Sequence, residues 1–364
     1  MKKSLFLLFA WCIAVVATAQ QKARVYAVGF YNQENLFDTC HDAGKKDYDF
    51  LPGGSYKWDG LKYGHKLRNM ARALADMGTD VLPHVGCAAI GLSEVENRRV
   101  LEDLVRQQPL AERGYAFAHI EGPDRRGIDC ALLYNPQLFT KQTERLVPYV
   151  MREAKDSAFY TRGFFTVTGE MAGEPVAFIV CHLPSRFSGS SYREWGATQV
   201  RAVKDSLLAL NPAMKVMVMG DMNDDPTDNS MRQCLAAKAE VAQVGSQDMY
   251  NPWYNMLVKQ GTGTLQYRGT WNLFDQIILS PNLLNAPGTK DFSTLKFWKA
   301  RIQRMPYLFE TEGKYKGSPK RTTPAACGSM AIPTTCQCVS TSSKRYNDAA
   351  YGNTHTTTHR NAPL

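Results

Sequence analysis

The sequence has little that would hold it in a membrane. After residue 19, no apolar stretch reaches the roughly 18 residues that a transmembrane helix needs, so we expect no integral membrane segment. The one long apolar run, Leu5 to Ala17, follows Lys2 and Lys3 and precedes a small-residue Ala-Thr-Ala pattern. This order is typical of a secretory signal peptide. We therefore predict cleavage after Ala19 and a secreted or periplasmic protein.

The sequence also lacks a regular cysteine framework. Of its nine cysteines, one lies in the predicted signal peptide and three lie after residue 322. The remaining cysteines are odd in number and widely spaced, unlike those of a small disulfide-rich domain. Cys336 and Cys338 have one residue between them, whereas a zinc knuckle usually has two. Neither a disulfide scaffold nor a cysteine metal site is expected.

Charge of one sign is only modestly in excess. The net charge is +9 for 364 residues, and part of it falls on the two ends of the chain. A basic body favours a phosphate-bearing or nucleic-acid partner, but an ordinary solvated surface explains the same excess. The hydrophobic fraction of 44% excludes general disorder.

Strand-like and helix-like segments alternate along the body, which predicts an α/β or α+β fold. Apolar residues at helical spacing begin at Leu67 and at Val200, and Gly78 and Asn211 follow these two stripes as terminators. The predicted strands are Arg24–Phe30, Ala88–Leu92, Asp129–Tyr134, Val176–Cys181, Lys215–Met219 and Phe274–Leu279.

Several of these strands run directly into polar residues. The first strand leads to Asn32, the second to Glu94, the fourth to His182 and the fifth to Asp221. Strand ends that share one edge of a sheet gather such groups into one crevice, the usual place for a site in folds of this kind.

Glu94 and Asp221 have the carboxylates that a hard divalent cation needs. Glu94 is equally well explained as an exposed residue of a turn, and Glu96 would share its face in an extended chain. Asp221 and Asn223 could orient a water and contact a phosphoryl oxygen. Taken alone, their Gly-Asp-Met-Asn-Asp-Asp-Pro context reads better as a turn.

Three further candidates have simple structural explanations as well. His182 could act as an acid or a donor, but histidines at the edge of a core are common. Arg186 could contact a phosphate or be merely solvated. Asp275, at the start of a strand, could hold a histidine in one tautomer or act as a strand-entry cap.

Together, these blocks resemble the endonuclease/exonuclease/phosphatase superfamily with its DNase I-like fold. The similarity runs from Arg24 to about Arg321, and the Gly-Asp-x-Asn and strand-Glu blocks are its most specific parts. It implies a four-layer α/β-β/α sandwich and Mg²⁺-dependent phosphoester hydrolysis, with Mn²⁺ or Ca²⁺ as other possible cations. The resemblance makes Glu94 a metal ligand with Asn32 beside it.

The resemblance also implies roles for the remaining candidates. Asp221 would orient or activate the attacking water, Asn223 would contact the phosphate, and His182 would bind phosphoryl oxygens or assist the leaving group. Asp275 would orient a second histidine. Donors and a cation in these places would offset the charge that builds on phosphorus in the transition state.

That second histidine is what the sequence lacks. The family ends in a Ser-Asp-His-x-Pro motif on its last strand, and no Ser-Asp-His occurs in this chain. From Thr323 the chain becomes rich in threonine and serine, with no apolar strand. We therefore expect the last strand to be missing, a domain over 24–322, and an aberrant, disordered tail over 323–364.

A shifted reading frame explains this departure better than a natural tail. If the codons from Met330 to Gln337 are read from their third base, they permit Gly-Tyr-Ser-Asp-His-Leu-Pro in register. We therefore infer a shift near Arg321 to Thr323. The main prediction is a metal-dependent phosphodiesterase, with nucleic acid as a candidate substrate, whose activity is impaired in the sequence as written. The alternatives are a catalytically silent phosphate- or nucleic-acid-binding protein of the same fold, and a scaffold with accidental motifs.

Overall fold

A computed structural model describes residues 24–150, 161–267, 269–314 and 316–320, and the backbone of 334–340. The predicted signal peptide therefore lies outside the described residues. The strands are β1 (Arg24–Leu36), β2 (Cys87–Val95), β3 (Ala116–His119), β4 (Asp129–Tyr134), β5 (Phe139–Val147), β6 (Phe164–Met171), β7 (Glu174–His182), β8 (Lys215–Asp221), β9 (Ala237–Lys238), β10 (Met249–Tyr250), β11 (Leu265–Tyr267), β12 (Thr270–Asn272), β13 (Asp275–Leu279), β14 (Lys296–Ile302) and β15 (Thr334–Ser340). The α-helices are α1 (Gly60–Asp76), α2 (Arg98–Val105), α3 (Gln108–Ala111), α4 (Ser190–Leu210) and α5 (Trp253–Gln260).

Two mixed sheets pack face to face. One has the strand order β14-β15-β1-β2-β4-β3, and the other has the order β5-β6-β7-β8-β13-β10-β9. Apolar residues of both inner faces form the central core. The outer face of the first sheet packs on α1 to α3, and that of the second packs on α4. This is the four-layer arrangement that was expected, so the predicted fold class is confirmed.

The strands follow the local sequence signals closely. Asp129–Tyr134 is a strand with the predicted bounds. Helix α1 covers the predicted stripe and ends at Asp76, and Gly78 follows with a positive φ of 75°. Glycine reaches this left-handed conformation without the steric cost of a Cβ atom.

Register and close packing bring several strand ends to one place. In the second sheet, His182 pairs with Asp221, and Asp221 pairs with Asp275. Gly220 allows this approach, because a Cβ atom there would lie 1.9 Å from the carbonyl oxygen of Cys181. Gly91 allows a similarly close approach between the two sheets, because a Cβ atom added there would lie 2.5 Å from the sulfur of Met219.

The expectation that the last strand is missing is wrong. Thr334–Ser340 forms β15, which lies antiparallel between β1 and β14. Threonine and valine suit an extended chain even where the apolar pattern is weak. The backbone N–H and C=O groups of β1 and β14 also need hydrogen-bond partners, which a strand between them supplies. A disordered tail is therefore wrong for these seven residues. The rest of the tail, from 341 to 364, lies outside the described residues, as do 321–333.

Among the described residues, no helix is both long and apolar enough to cross a membrane.

Candidate active site

The first half of the site is a pair of irregularities in β1 and β2. The parallel register of these strands shifts between Asn32 and Leu36, and Glu34, Asn35 and Glu94 all have φ between 50° and 60°. Such conformations are costly for residues with side chains and persist where the surroundings enforce them.

These irregularities turn backbone N–H groups toward the two predicted ligand residues. The N–H of Asn35 donates to Oε2 of Glu94 at 2.8 Å, and the N–H of Glu34 donates to Oδ1 of Asn32 at 2.8 Å. Both side chains are therefore held in one orientation, with Oε1 of Glu94 directed toward His182.

The second half comes from β7 and β8. Nε2 of His182 lies 3.9 Å from Oε1 of Glu94 and 3.7 Å from Oδ2 of Asp221. Nδ2 of Asn32 donates to the same oxygen of Asp221 at 3.0 Å. Four of the residues predicted from sequence thus meet at adjoining ends of the two sheets.

Burial sets the protonation of this group. It raises the pKa of Asp221 to about 6, although hydrogen bonds from the Asn223 N–H and the Asn32 amide oppose the shift. Burial also holds the pKa of His182 well below its usual range, helped by the nearby cations Arg162 and Arg126. At neutral pH, His182 is therefore a neutral imidazole beside a carboxylate, which suits it to donate a hydrogen bond.

Asp275 lies beside this group but has no equivalent support. Its side chain is fully buried, and within the described residues neither carboxylate oxygen has a hydrogen-bond partner. Burial raises its pKa well above the usual range, and the charges of Asp221 and Glu94 add to the shift. A buried carboxyl group without a partner is rare in a folded protein and calls for a physical explanation.

Two predicted residues make contacts within the protein. Nδ2 of Asn223 donates to the carbonyl of Leu183 at 2.9 Å. The guanidinium of Arg186 contacts Asp225 at 3.1 Å and Asp228 at 2.8 Å, and it lies 4.5 Å from the ring centre of Phe274. Arg186 therefore holds the Asp221–Asp228 loop in place, and phosphate binding by Arg186 stays a prediction.

The choice between Glu94 and Glu96 is clear from the backbone. Because Glu94 has a φ of 60°, the chain is not extended there and the two side chains do not share a face. Oε2 of Glu96 accepts a hydrogen bond from the N–H of Asp38 at 2.7 Å. Glu96 is thus directed to the loop after β1, where burial raises its pKa to about 8.

Sequence reasoning missed Arg162. This buried residue bridges Asp124 and the carbonyl of Leu183, both at 3.1 Å, and within the described residues its Nε has no partner. It precedes β6, and only the pairing of β6 with β7 brings it near His182. A possible signal was the Asp-Arg-Arg-Gly loop at Asp124, which also carries Arg126.

The donors fit a hard cation that keeps much of its water. In the described part of the chain, no three histidine, cysteine, aspartate or glutamate side chains form a ready ligand cluster. Glu94 and the Asn32 amide instead supply two oxygen atoms next to Asp221, and burial and the charges of Asp221 and Glu94 raise the pKa of the neighbouring Asp275. Mg²⁺ is commonly held by one or two carboxylates and several waters, so the residues present fit such an ion.

A model of the endonuclease/exonuclease/phosphatase family matches residues 27–328. The chain belongs to this family. The match ends before β15, the strand on which the family motif is absent. No curated protein matches the sequence.

Solved structures share the fold at low identity. An endonuclease/exonuclease/phosphatase family protein from Bacteroides thetaiotaomicron is 14% identical, with a TM-score of 0.54, and the match covers 87% of this chain and 98% of that one. A mannosyl-6-phosphatase from the same species is 14% identical, with a TM-score of 0.51 and coverages of 86% and 99%. D. rerio TDP2 complexed with a single-strand DNA product is 12% identical, with a TM-score of 0.50 and coverages of 86% and 98%.

Proposed function

We propose that this member of the family is a divalent-cation-dependent phosphoesterase whose site is built on Asn32, Glu94, His182 and Asp221. The observation that carries the proposal is that these four side chains, from four strands of two sheets, meet in one place. Asn32 lies within 4 Å of Asp221, Asp221 within 4 Å of His182, and His182 within 4 Å of Glu94. Asn32 and His182 are buried, and Glu94 and Asp221 are largely so. Nothing in the fold requires four polar residues to meet in such a place, where their desolvation is costly unless they serve a site.

Glu94 and Asn32 would hold the cation, with Mg²⁺ as the first candidate and Mn²⁺ or Ca²⁺ as the others. A bound cation supplies positive charge to the phosphoryl oxygens. Asp221 would accept a proton from the attacking water, because a carboxyl group with a pKa near 6 is ionised at neutral pH and still basic. Neutral His182 would donate a hydrogen bond to a phosphoryl or leaving-group oxygen.

Two arginines would complete the charge balance. Arg162 and Arg126 lie close enough to His182 to lower its pKa, and Nε of Arg162 is a buried donor without a partner in the described residues. An anionic phosphoryl group beside His182 would give this donor an acceptor. Asn223 and Arg186 remain further candidates for phosphate contact.

The proposal includes a shifted reading frame near Arg321 to Thr323. The codon reading places the histidine at Thr334 and Thr335, and Thr334 pairs with Phe30, two residues before Asn32. Strand β15 also lies close to β13, which begins with Asp275. A histidine at this end of β15 would give the buried Asp275 carboxylate the partner that it lacks. As written, the chain would then be a weak catalyst.

The unshifted alternative is a silent phosphate- or nucleic-acid-binding protein. The isolated Asp275 carboxyl group favours it, because a hydrolase of this design needs the missing histidine. The intact hydrogen bonds around Glu94, Asn32 and Asp221 favour the enzyme, since a site that had long lost catalysis would not retain them all. Sequencing the gene from the codon of Ser318 past the stop separates the two: an added or missing base supports the enzyme.

Substrate class is a separate part of the proposal. The basic body favours a phosphodiester in a nucleic acid, and the TDP2 structure with its DNA product is a precedent within the fold. The mannosyl-6-phosphatase is a precedent for a small phosphomonoester. Binding of a nucleic acid would weaken steeply as salt rises, because its counterions are released, whereas binding of a sugar phosphate would weaken little.

The test is cation-dependent hydrolysis of bis(p-nitrophenyl) phosphate and p-nitrophenyl phosphate by the frame-restored chain. We expect turnover with Mg²⁺ or Mn²⁺, none with EDTA, and none in Glu94→Ala. Glu112→Ala, an exposed glutamate on the protein surface, is the matched control and should keep full activity. Equal turnover in EDTA, or in Glu94→Ala, would overturn the proposal.

Localisation is proposed to be secreted or periplasmic, and N-terminal sequencing of the exported protein would check cleavage after Ala19.

A further inference from the structure

Helix α1 places a buried lysine directly behind the cation-binding half of the site. Lys66 is only 4% exposed, although lysine is seldom buried without a specific partner. Its Nζ donates to the backbone carbonyls of Glu34 and Asn35, the second at 3.2 Å. The ring of Trp58 closes over it, with 5.8 Å between Nζ and the ring centre.

The two carbonyls belong to the strained part of β1. Glu34 and Asn35 both have positive φ, at 50° and 58°. Two successive residues with side chains do not adopt this conformation without support from their surroundings. The lysine supplies that support, because one ammonium group binds both carbonyls from outside the sheet.

The same stretch of backbone orients the predicted ligands. On its other side, the N–H of Asn35 donates to Glu94 and the N–H of Glu34 donates to Asn32. A continuous chain of contacts therefore runs from Lys66 through this backbone to both oxygen donors, with no side chain in between.

We propose that Lys66 is a positioning residue of the cation site, which fixes the Glu34–Asn35 backbone and so orients the carboxylate of Glu94 and the amide of Asn32. This inference rests on the proposed function. Lys66 holds the backbone rather than the substrate or the cation, and its charge also acts on the carboxylates of Glu34 and Glu94.

The test uses the full chain with Lys66→Met, which keeps the length of the side chain and removes its donors. Two readouts are taken. The first is hydrogen exchange of the Glu34 and Asn35 amides in EDTA, and the second is Mn²⁺ affinity by titration calorimetry. We expect exchange at these amides to become about tenfold faster or more, because their local structure loosens. We expect Mn²⁺ affinity to fall about 10- to 100-fold, the usual effect of losing an outer contact of a ligand.

The matched control is Lys204→Met. Lys204 is a fully buried lysine on α4, and its Nζ donates to the carbonyl of Gln247 at 3.0 Å. This variant should lose comparable stability but keep both Mn²⁺ affinity and exchange at Glu34 and Asn35. Lys66→Arg keeps a cationic donor and should recover most of the Mn²⁺ affinity. If Lys66→Met does not fold, Lys66→Leu, which also removes the donors, takes its place.

The outcomes separate this inference from the proposed function. If the unchanged chain binds no Mn²⁺, the proposed cation site fails, and the exchange data alone decide whether Lys66 fixes the backbone. If the unchanged chain binds Mn²⁺ and Lys66→Met binds it equally well, the positioning role is overturned. Unchanged exchange at Glu34 and Asn35 in Lys66→Met overturns it as well.

Discussion

The two ends of the site differ in how well their carboxylates are supported. At the β1–β2 end, Glu94 accepts a backbone N–H, and Asn32 is held from both sides by Glu34 and Asp221. At the β13–β15 end, within the described residues, Asp275 is buried with no partner for either oxygen. The first end is complete in this chain. At the second end, we propose that a histidine of the restored frame would be the partner of Asp275.

The difference separates what folding requires from what catalysis requires. The backbone of β15 lies between β1 and β14, so the sheet is continuous although the family's last motif is absent from this strand. Backbone pairing alone supplies no side chain to the neighbouring Asp275. A sheet position can therefore be kept by extended residues of many kinds, whereas a catalytic position depends on one side chain.

The largest expected effect is at the complete end. Glu94→Ala should lower Mn²⁺ affinity about 100-fold or more, because it removes the one charged oxygen donor that the backbone presents to the cation. Isothermal titration calorimetry of the 364-residue chain measures this, with Glu112→Ala as the control. Equal affinity in the Glu94 variant would place the cation elsewhere and remove the contrast between the two ends.

Asp275→Asn sharpens the contrast at the incomplete end. The pKa of Asp275 is higher in the folded state than in the unfolded state. Its contribution to stability is therefore fully present only below the unfolded-state pKa, and it is lost as the pH rises from there toward the folded-state pKa. In EDTA, the free energy of unfolding of the variant should exceed that of the unchanged chain by about 1–3 kcal/mol near neutral pH, because an amide avoids the cost of keeping a buried carboxyl group uncharged above its unfolded pKa. The advantage should shrink as pH falls, as chemical denaturation at several pH values will show.

The same substitution should have the opposite sign in a frame-restored chain. There Asp275 would gain a histidine partner, so Asp275→Asn should destabilise the protein and reduce hydrolysis. If Asp275→Asn destabilises the 364-residue chain at neutral pH, the carboxyl group has a partner after all, and the account of an incomplete end is wrong.

A smaller pH effect is expected from Glu96. Its pKa is raised from 4.5 to about 8, chiefly by burial, so the folded state binds a proton that the unfolded state releases. Stability from this group is fully present below pH 4.5 and is lost as pH rises toward 8. Glu96→Gln should therefore flatten the decline of stability across this window in EDTA. An unchanged slope relative to Glu112→Gln would show that Glu96 does not contribute.

The smallest effect is expected from Arg186→Ala. Because the guanidinium is partly exposed and bound to Asp225 and Asp228, its loss should cost only about 0.2–1 kcal/mol of stability. Hydrolysis by the frame-restored chain should fall less than about tenfold if Arg186 only supports the loop, since no interaction unique to the transition state is lost. A larger loss of kcat with unchanged stability would show direct phosphate contact.

Much of this arrangement could be predicted from sequence because the signals are local. The strand ends predicted that the side chains of Asn32, Glu94, His182 and Asp221 would lie together, as they do. One apolar pattern predicted β4 within its observed bounds. Lys66 could not be found in this way, since it is the polar member of an otherwise apolar helical stripe. Strand β15 was missed because its pairing with β1 and β14, rather than its own composition, makes it a strand.

We propose that the β13–β15 end of the site lacks a histidine that the restored frame would supply. The most direct measurement compares Mg²⁺-dependent hydrolysis of bis(p-nitrophenyl) phosphate by the 364-residue chain and by the chain with the shifted frame restored after Arg321. We predict a rate for the restored chain about 10²- to 10⁴-fold higher, the usual contribution of a positioned acid or base. Equal rates in the two chains would contradict the account.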